Sequence, residues 1–217
     1  MRRRMTAIAV SIGMAIGLSS AVQASAYELR VDTRTPDVRY FGSFSYDTAR
    51  VTGADPARAR ALTRKVQAFT DPWAKQYLRP HRKMTAYLKK AKPAYYDAKI
   101  TAPPDCLAGY VCLSQGSSFS TPLIAGSITD VQARAWSTRS GKAADLARFV
   151  PAGELPAFTR KVKDAIRRAP CFYGFDIDLP AAYKSFPNWV PTSRGIALWF
   201  PEYQFGCQIM EVRVNWP

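Results

Sequence analysis

The chain has 217 residues, 47% of them apolar, and 31 lysines and arginines against 16 acids give a formal net charge of +15. That length and apolar content suit one ordinary domain with its own core, and they exclude a multi-spanning membrane protein, since no second apolar span follows the N-terminus. The positive charge favours anionic partners by long-range attraction, or it serves only to keep the protein in solution.

The first 26 residues read as a secretory leader. Arg2, Arg3 and Arg4 form a cationic start, Ala7 to Leu18 is apolar and small, and Ala24-Ser25-Ala26 is a small-residue cleavage signature. No cysteine lies beside it, so a lipid anchor is not expected. Cleavage would leave a domain over 27–217 and an extracytoplasmic, secreted protein with no transmembrane span. Loss of the three arginines leaves 28 basic residues against 16 acids, a net charge of +12.

Tyr27 to Asp32 and Val38 to Tyr46 predict two strands. Asp55-Pro56 opens a helix, since Asp caps an N-terminus and Pro suits the first helical position. Leu62, Val66 and Phe69 make one apolar stripe. Asp71-Pro72 repeats the start signal, so the helix is expected to break there and restart toward Leu78, with Pro80 stopping it. Met84, Tyr87, Leu88 and Ala91 fit helical spacing, while Lys92-Pro93 and Tyr95-Tyr96 fit an irregular extended stretch. Thr101 to Leu107 is a Pro-rich loop. Tyr110 to Leu113, Phe119 to Ala125 and Ile128 to Thr138 predict three strands, the last alternating Val131, Ala133 and Ala135 against Gln132, Arg134 and Trp136. Ser140-Gly141 marks a turn. Glu154 to Arg168 is an amphipathic helix: Leu155, Phe158, Val162, Ala165 and Ile166 share one face, with Arg160, Lys161, Lys163, Arg167 and Arg168 on the other. Pro156 is tolerated in its first turn and Pro170 ends it. Gly195 to Phe200 and Gln208 to Trp216 predict two closing strands. The pattern is α+β: one domain, a mixed short-stranded sheet packed by two main helices.

Cys106, Cys112, Cys171 and Cys207 are the four cysteines. An even count in an exported chain predicts two disulfides, of which four cysteines allow three pairings. Cys106 and Cys112 flank a short segment that closes easily, which leaves Cys171 with Cys207. A metal site is the rival reading, but the spacing is not C-x-x-C and the lone His81 is remote.

Two blocks resemble a known family. The first runs from Ile128 through Trp136, Gly141 and Lys142 to Phe149 and the helix after it. The second runs from Phe186 through Trp189, Thr192, Gly195, Trp199, Pro201, Glu202, Tyr203 and Gly206, and on to Val212-Arg213-Val214. This order resembles the DUF3298 family, to which the C-terminal domain of the anti-sigma factor RsiV and the mycobacterial secreted antigen MPT64 belong. The resemblance implies an α+β fold and a binding role without agreed catalytic residues. One departure stands out. The turn before Ile128 reads Pro122 to Ser127 without the family's His, so no role for that His is carried over. Capture of basic lysozyme, the role of the RsiV domain, suits a basic chain poorly, because like charges repel.

The chemistry-bearing residues do not assemble a reaction on paper. Ser117, Ser118 and Ser120 lack the G-x-S-x-G context of a nucleophile, and His81 sits among Arg79, Arg82 and Lys83 on a basic turn. Cysteine catalysis is excluded if the disulfides form. Asp176 and Asp178 share one face of an expected strand over Phe175 to Leu179, which makes them an acid/base or cation-binding candidate, or simply solvated partners for cations. Glu202 is a lone third acid. The late aromatics Trp189, Trp199, Phe200, Tyr203, Phe205 and Trp216 suit a core better than a sugar platform. Arg160, Lys163 and Arg167 are the basic stripe expected to touch an anionic polymer.

The reading is therefore a secreted, non-enzymatic domain that binds an anionic envelope polymer or an extracellular protein. The alternatives are a secreted hydrolase working through carboxylates and a structural wall-associated protein. No cofactor, metal or specific nucleic-acid partner is expected.

Overall fold

The structure, a computed structural model, describes residues 27–122, 127–172, 174, 176–201, 204 and 209–216. The expected leader, the candidate acid Glu202, and Tyr203, Phe205 and Cys207 lie outside the described residues. The elements are β1 (Tyr27–Arg34), β2 (Ser43–Gly53), α1 (Pro56–Leu78), α2 (Arg82–Ala91), β3 (Tyr95–Thr101), β4 (Tyr110–Ser120), β5 (Ser127–Ser137), α3 (Leu155–Arg167), β6 (Trp189–Pro191), β7 (Gly195–Phe200) and β8 (Met210–Asn215).

They form two sheets rather than one. A five-stranded sheet has the order β1-β2-β3-β4-β5, and a three-stranded sheet has the order β6-β7-β8. Neighbours are antiparallel except β2 and β3, which run parallel from Ser43 beside Tyr95 to Tyr46 beside Ala98. Four layers result. Leu62 and Val66 of α1 pack on one face of the large sheet against Ala49, Val51, Leu113 and Trp136. The opposite face, with Val131, Ala133 and Ala135, meets Val190, Ala197 and Trp199 of the small sheet. Leu155, Phe158, Val162 and Ile166 of α3 cover the outer face of the small sheet. The alternation expected in β5 is real, and toward its C-terminal end both faces are covered, so Ala135 and Trp136 are both buried.

Asp55 caps α1 by accepting from the backbone N–H groups of Ala57 (2.9 Å) and Arg58 (3.0 Å). The expected break at Pro72 does not occur: α1 is one helix with Pro72 inside it. A proline removes one N–H and crowds the preceding turn. Beside it the Gln132 and Gln115 side chains of the sheet donate to the carbonyls of Phe69 (3.2 Å) and Thr70 (3.3 Å), which ties this turn to the sheet. Burial of Val66, Thr70 and Ala74 on either side keeps the helix in register.

Other boundaries move for non-local reasons. The second strand starts at Ser43 instead of Val38, because Phe41 N–H turns back to the Val38 carbonyl at 2.9 Å. The stretch at Arg82 is a helix, and Tyr95-Tyr96 open a strand. Phe119 to Ala125 is not a separate strand: Phe119 and Ser120 end the 11-residue β4, and 123–126 lie outside the described residues. Asp176 to Leu179 is irregular and not a strand, although the alternation is kept: Ile177 and Leu179 are buried and the two acids are exposed. No helix among the described residues is long and apolar enough to cross a membrane.

Where the parallel pairing of β2 and β3 ends, the buried Asp47 takes over. Its carboxylate accepts from Ile100 N–H at 2.9 Å and from the Thr33 hydroxyl at 2.7 Å, with Lys99 Nζ at 3.7 Å. One side chain thus ties three neighbouring strands.

Candidate functional site: a basic groove along an open strand edge

The last strand reads M-E-V-R-V-N, and its residues are alternately buried and exposed. Met210, Val212 and Val214 face α3, and Glu211, Arg213 and Asn215 face solvent. Trp216 N–H donates to the Arg194 carbonyl at 3.1 Å, which sets the phase of the ladder. In an antiparallel pair, alternate residues direct both backbone groups to the partner strand. Residues 210, 212 and 214 therefore bond to β7, and the backbone groups of Glu211, Arg213 and Asn215 point away from it. Among the described residues no strand lies on that side. Among the described residues β8 is thus an edge strand, with α3 packed against its buried face.

Gly195 makes this edge possible. A Cβ there would lie 1.9 Å from the Val214 carbonyl oxygen, so only glycine admits the approach of β7 to β8.

Cations gather around this edge. Lys161, Asp164 and Arg168 of α3 and Arg213, Val214 and Asn215 of β8 line a shallow pocket of about 370 Å³. A second pocket of about 440 Å³ shares Arg213, Val214 and Asn215 and continues to Asp105, Ser193 and Arg194. The Cys106–Cys112 disulfide, with Cα atoms 5.8 Å apart, fixes the loop that carries Asp105, and Leu107 N–H donates to Pro191 O at 3.0 Å. Arg213 donates to Glu211 at 2.8 Å and also bonds Asp105. Partial burial lowers the guanidinium's hold on its proton, but the hydrogen bonds and charges of Glu211 and Asp105 outweigh this and raise it. Asp105 Oδ1 is buried with no hydrogen-bond partner, so the carboxylate is only half satisfied.

The expected site residues fall in several places. Arg160 and Arg167 are exposed and Lys163 is half-buried on the outer side of α3, and Arg167 pairs with Asp164 at 3.0 Å. The stripe is real, yet the cations that reach the groove are its flank, Lys161 and Arg168, joined by Arg194 and Arg213. Sequence reasoning missed the last two. The polar half of the final strand was the signal for Arg213, and nothing local marked Arg194.

Asp176 and Asp178 lie elsewhere: Asp178 lines a different depression with Lys184 and Asn188. Among the described residues no group of three possible metal ligands occurs. His81 is structural, its Nδ1 accepting from Met84 N–H at 3.3 Å as the N-cap of α2. Trp189, Trp199 and Phe200 are buried core, and Trp216 packs against it. Cys106 and Cys112 pair as expected, and Cys171 is also disulfide-bonded; Cys207 lies outside the described residues.

No family model matches the sequence and no curated protein matches it. Solved structures do. A DUF3298 family protein of Pseudomonas aeruginosa overlays 89% of this chain and 92% of its own, with a TM-score of 0.55 and 12% identity. A DUF3298 member from Bacteroides fragilis overlays 88% and 92%, with a TM-score of 0.54 and 9% identity. At such identities the likeness is one of fold. The chain has a DUF3298-like α+β fold, as the resemblance in sequence implied.

Proposed function

We propose that the chain is a secreted, non-enzymatic binding domain whose α3–β8 groove takes an extended, acidic stretch of an extracellular partner. The observation that carries this reading is the open edge of β8 with Lys161, Arg168, Arg194 and Arg213 around it. An extended chain can pair with the outward backbone groups of Arg213 and Asn215 and gain main-chain hydrogen bonds there. Its acidic side chains then meet the flanking cations, which adds selectivity and a faster encounter. The hydrolase alternative needs carboxylates converging on one substrate, and Asp176 and Asp178 sit exposed outside the groove.

The test is calorimetric titration with a Glu-rich peptide and with the same peptide N-methylated at alternate backbone positions. Binding should weaken in high salt, because exposed charges are screened over about 8–10 Å at physiological ionic strength. It should also fall in Lys161→Glu/Arg168→Glu and with the methylated peptide. Equal binding of both peptides rejects strand pairing in favour of a polyanion such as a wall polymer. Retention on isolated cell walls that ignores both salt and the substitutions returns the structural wall-associated reading.

A further inference from the structure

Another concavity lies between α1, α2 and the large sheet, on the sheet face away from α3. It has a volume of about 230 Å³, and its aromatic lining is Trp73, Tyr77, Tyr87, Tyr96 and Phe119. Tyr77 and Phe119 stack with centroids 5.8 Å apart, Tyr87 lies over the Phe119 side at 6.4 Å, and Tyr77 meets Tyr96 at 4.7 Å. The strand register explains the polar floor. Ser117 and Asp130 are cross-strand partners on β4 and β5, so they share one face, with the buried Ala98 of β3 beside Ser117.

Three features of this cleft point to one ligand chemistry. Asp130 is the sole charged residue of its described lining in a strongly basic chain. Aromatic faces attract cations through their negative quadrupoles. Tyr96 is 2% exposed, and its hydroxyl is buried with no hydrogen-bond partner. Such an orphan group is costly, and a ligand N–H would satisfy it. Burial, with lesser contributions from Tyr77 and Asp97, keeps the Tyr96 phenol protonated and therefore a neutral acceptor.

We propose that this cleft binds a primary alkylammonium group. The alkyl stem lies between the aromatic rings and the N–H groups donate to the Tyr96 hydroxyl, the Ser117 hydroxyl and the Asp130 carboxylate. Tyr87, 44% exposed on α2, forms the outer wall. The α3–β8 groove, lined by other residues, plays no part in it.

The experiment is calorimetric titration of the intact protein with pentylamine at neutral pH, with 1-pentanol as the neutral isostere and Nα-acetyl-lysine methylamide as the side-chain analogue. Pentylamine should bind and pentanol should not. Asp130→Asn and Tyr87→Leu, both at exposed positions, should each weaken pentylamine about five- to tenfold, as expected for an ion pair or a cation–π contact in a partly desolvated site. Tyr96→Phe should weaken it too while leaving thermal stability equal or higher, because the orphan hydroxyl is gone. Lys161→Glu/Arg168→Glu should leave it unchanged, which separates this site from the groove. Tighter binding of the lysine analogue than of pentylamine assigns the ammonium to a protein side chain, and the reverse assigns it to a free amine. Equal binding of pentanol and pentylamine, no binding of either amine, or indifference to Asp130→Asn overturns the proposal.

Discussion

The Arg213 guanidinium of β8 bonds the carboxylate of Asp105 across a sequence separation of 108 residues. The pair joins the disulfide-closed loop ahead of β4 to the edge strand, and it sits where the two basic pockets meet. The side chains are 48% and 26% exposed, so the pair itself adds only about 0.2–1 kcal/mol to stability. In the proposed binding mode Asp105 competes for the cation that a ligand would use.

Removing that competitor should therefore strengthen the groove. Asp105→Asn is expected to tighten binding of a Glu-rich peptide, while Arg213→Ala weakens it and lowers stability by no more than about 1 kcal/mol. Calorimetric titration of the two variants, beside their thermal melts, checks both halves. Tighter binding by Arg213→Ala would place the ligand elsewhere.

The outer face of α3 supplies a second test. Reversing Arg160, Lys163 and Arg167 to Glu takes the net charge of the expected mature chain from +12 to +6. The buried stripe of Leu155, Phe158 and Val162 is untouched, so the helix should persist by circular dichroism. Retention on isolated cell walls at low salt should drop and should become less sensitive to added salt. Unchanged retention means that this charge serves solubility.

Asp47 should be among the most sensitive polar positions. Asp47→Ala leaves the buried Ile100 N–H without its 2.9 Å acceptor and is expected to cost about 2–3 kcal/mol in urea unfolding. Asp47→Asn keeps one acceptor oxygen and should cost about half as much. An alanine variant as stable as the wild type would show that water replaces the carboxylate between β2 and β3.

The disulfide prediction is direct. Mass spectrometry of non-reduced peptides should recover Cys106 linked to Cys112, and thiol titration in denaturant should find no free thiol. With a sequence separation of 6, the loop-entropy relation gives about 2 kcal/mol for this bridge. Cys106→Ser/Cys112→Ser should lose that amount and loosen the loop carrying Asp105, so peptide binding should weaken more than stability does.

Local signals in the sequence determined a good part of this protein. Asp55-Pro56 marked the start of α1, the stripe from Leu155 to Ile166 marked α3, and the alternation around Val131 to Trp136 marked β5. The short spacing of Cys106 and Cys112 marked their pairing. Each is a matter of period, cap or short loop, and such preferences act between neighbours along the chain. Asp176 and Asp178 show the limit: alternate burial placed Ile177 and Leu179 inward, but among the described residues no strand pairs with them to make the segment a sheet.

The tertiary structure alone decided the rest, because it depends on which distant segments meet. The helix α1 runs on through Pro72 where Gln115 and Gln132 of the sheet hold the carbonyls of Thr70 and Phe69. The parallel pairing of β2 with β3 joins residues 52 apart, and Asp47 at its end reaches one 53 away. The basic groove needs the phase of the β7–β8 ladder, which aims the backbone of Arg213 and Asn215 outward and sets Lys161, Arg168 and Arg194 beside them. Hydrogen-bond phase and the meeting of separate elements leave no periodic trace in one sequence. The charge of the chain was therefore legible from composition, and the gathering of cations beside the β8 edge was not.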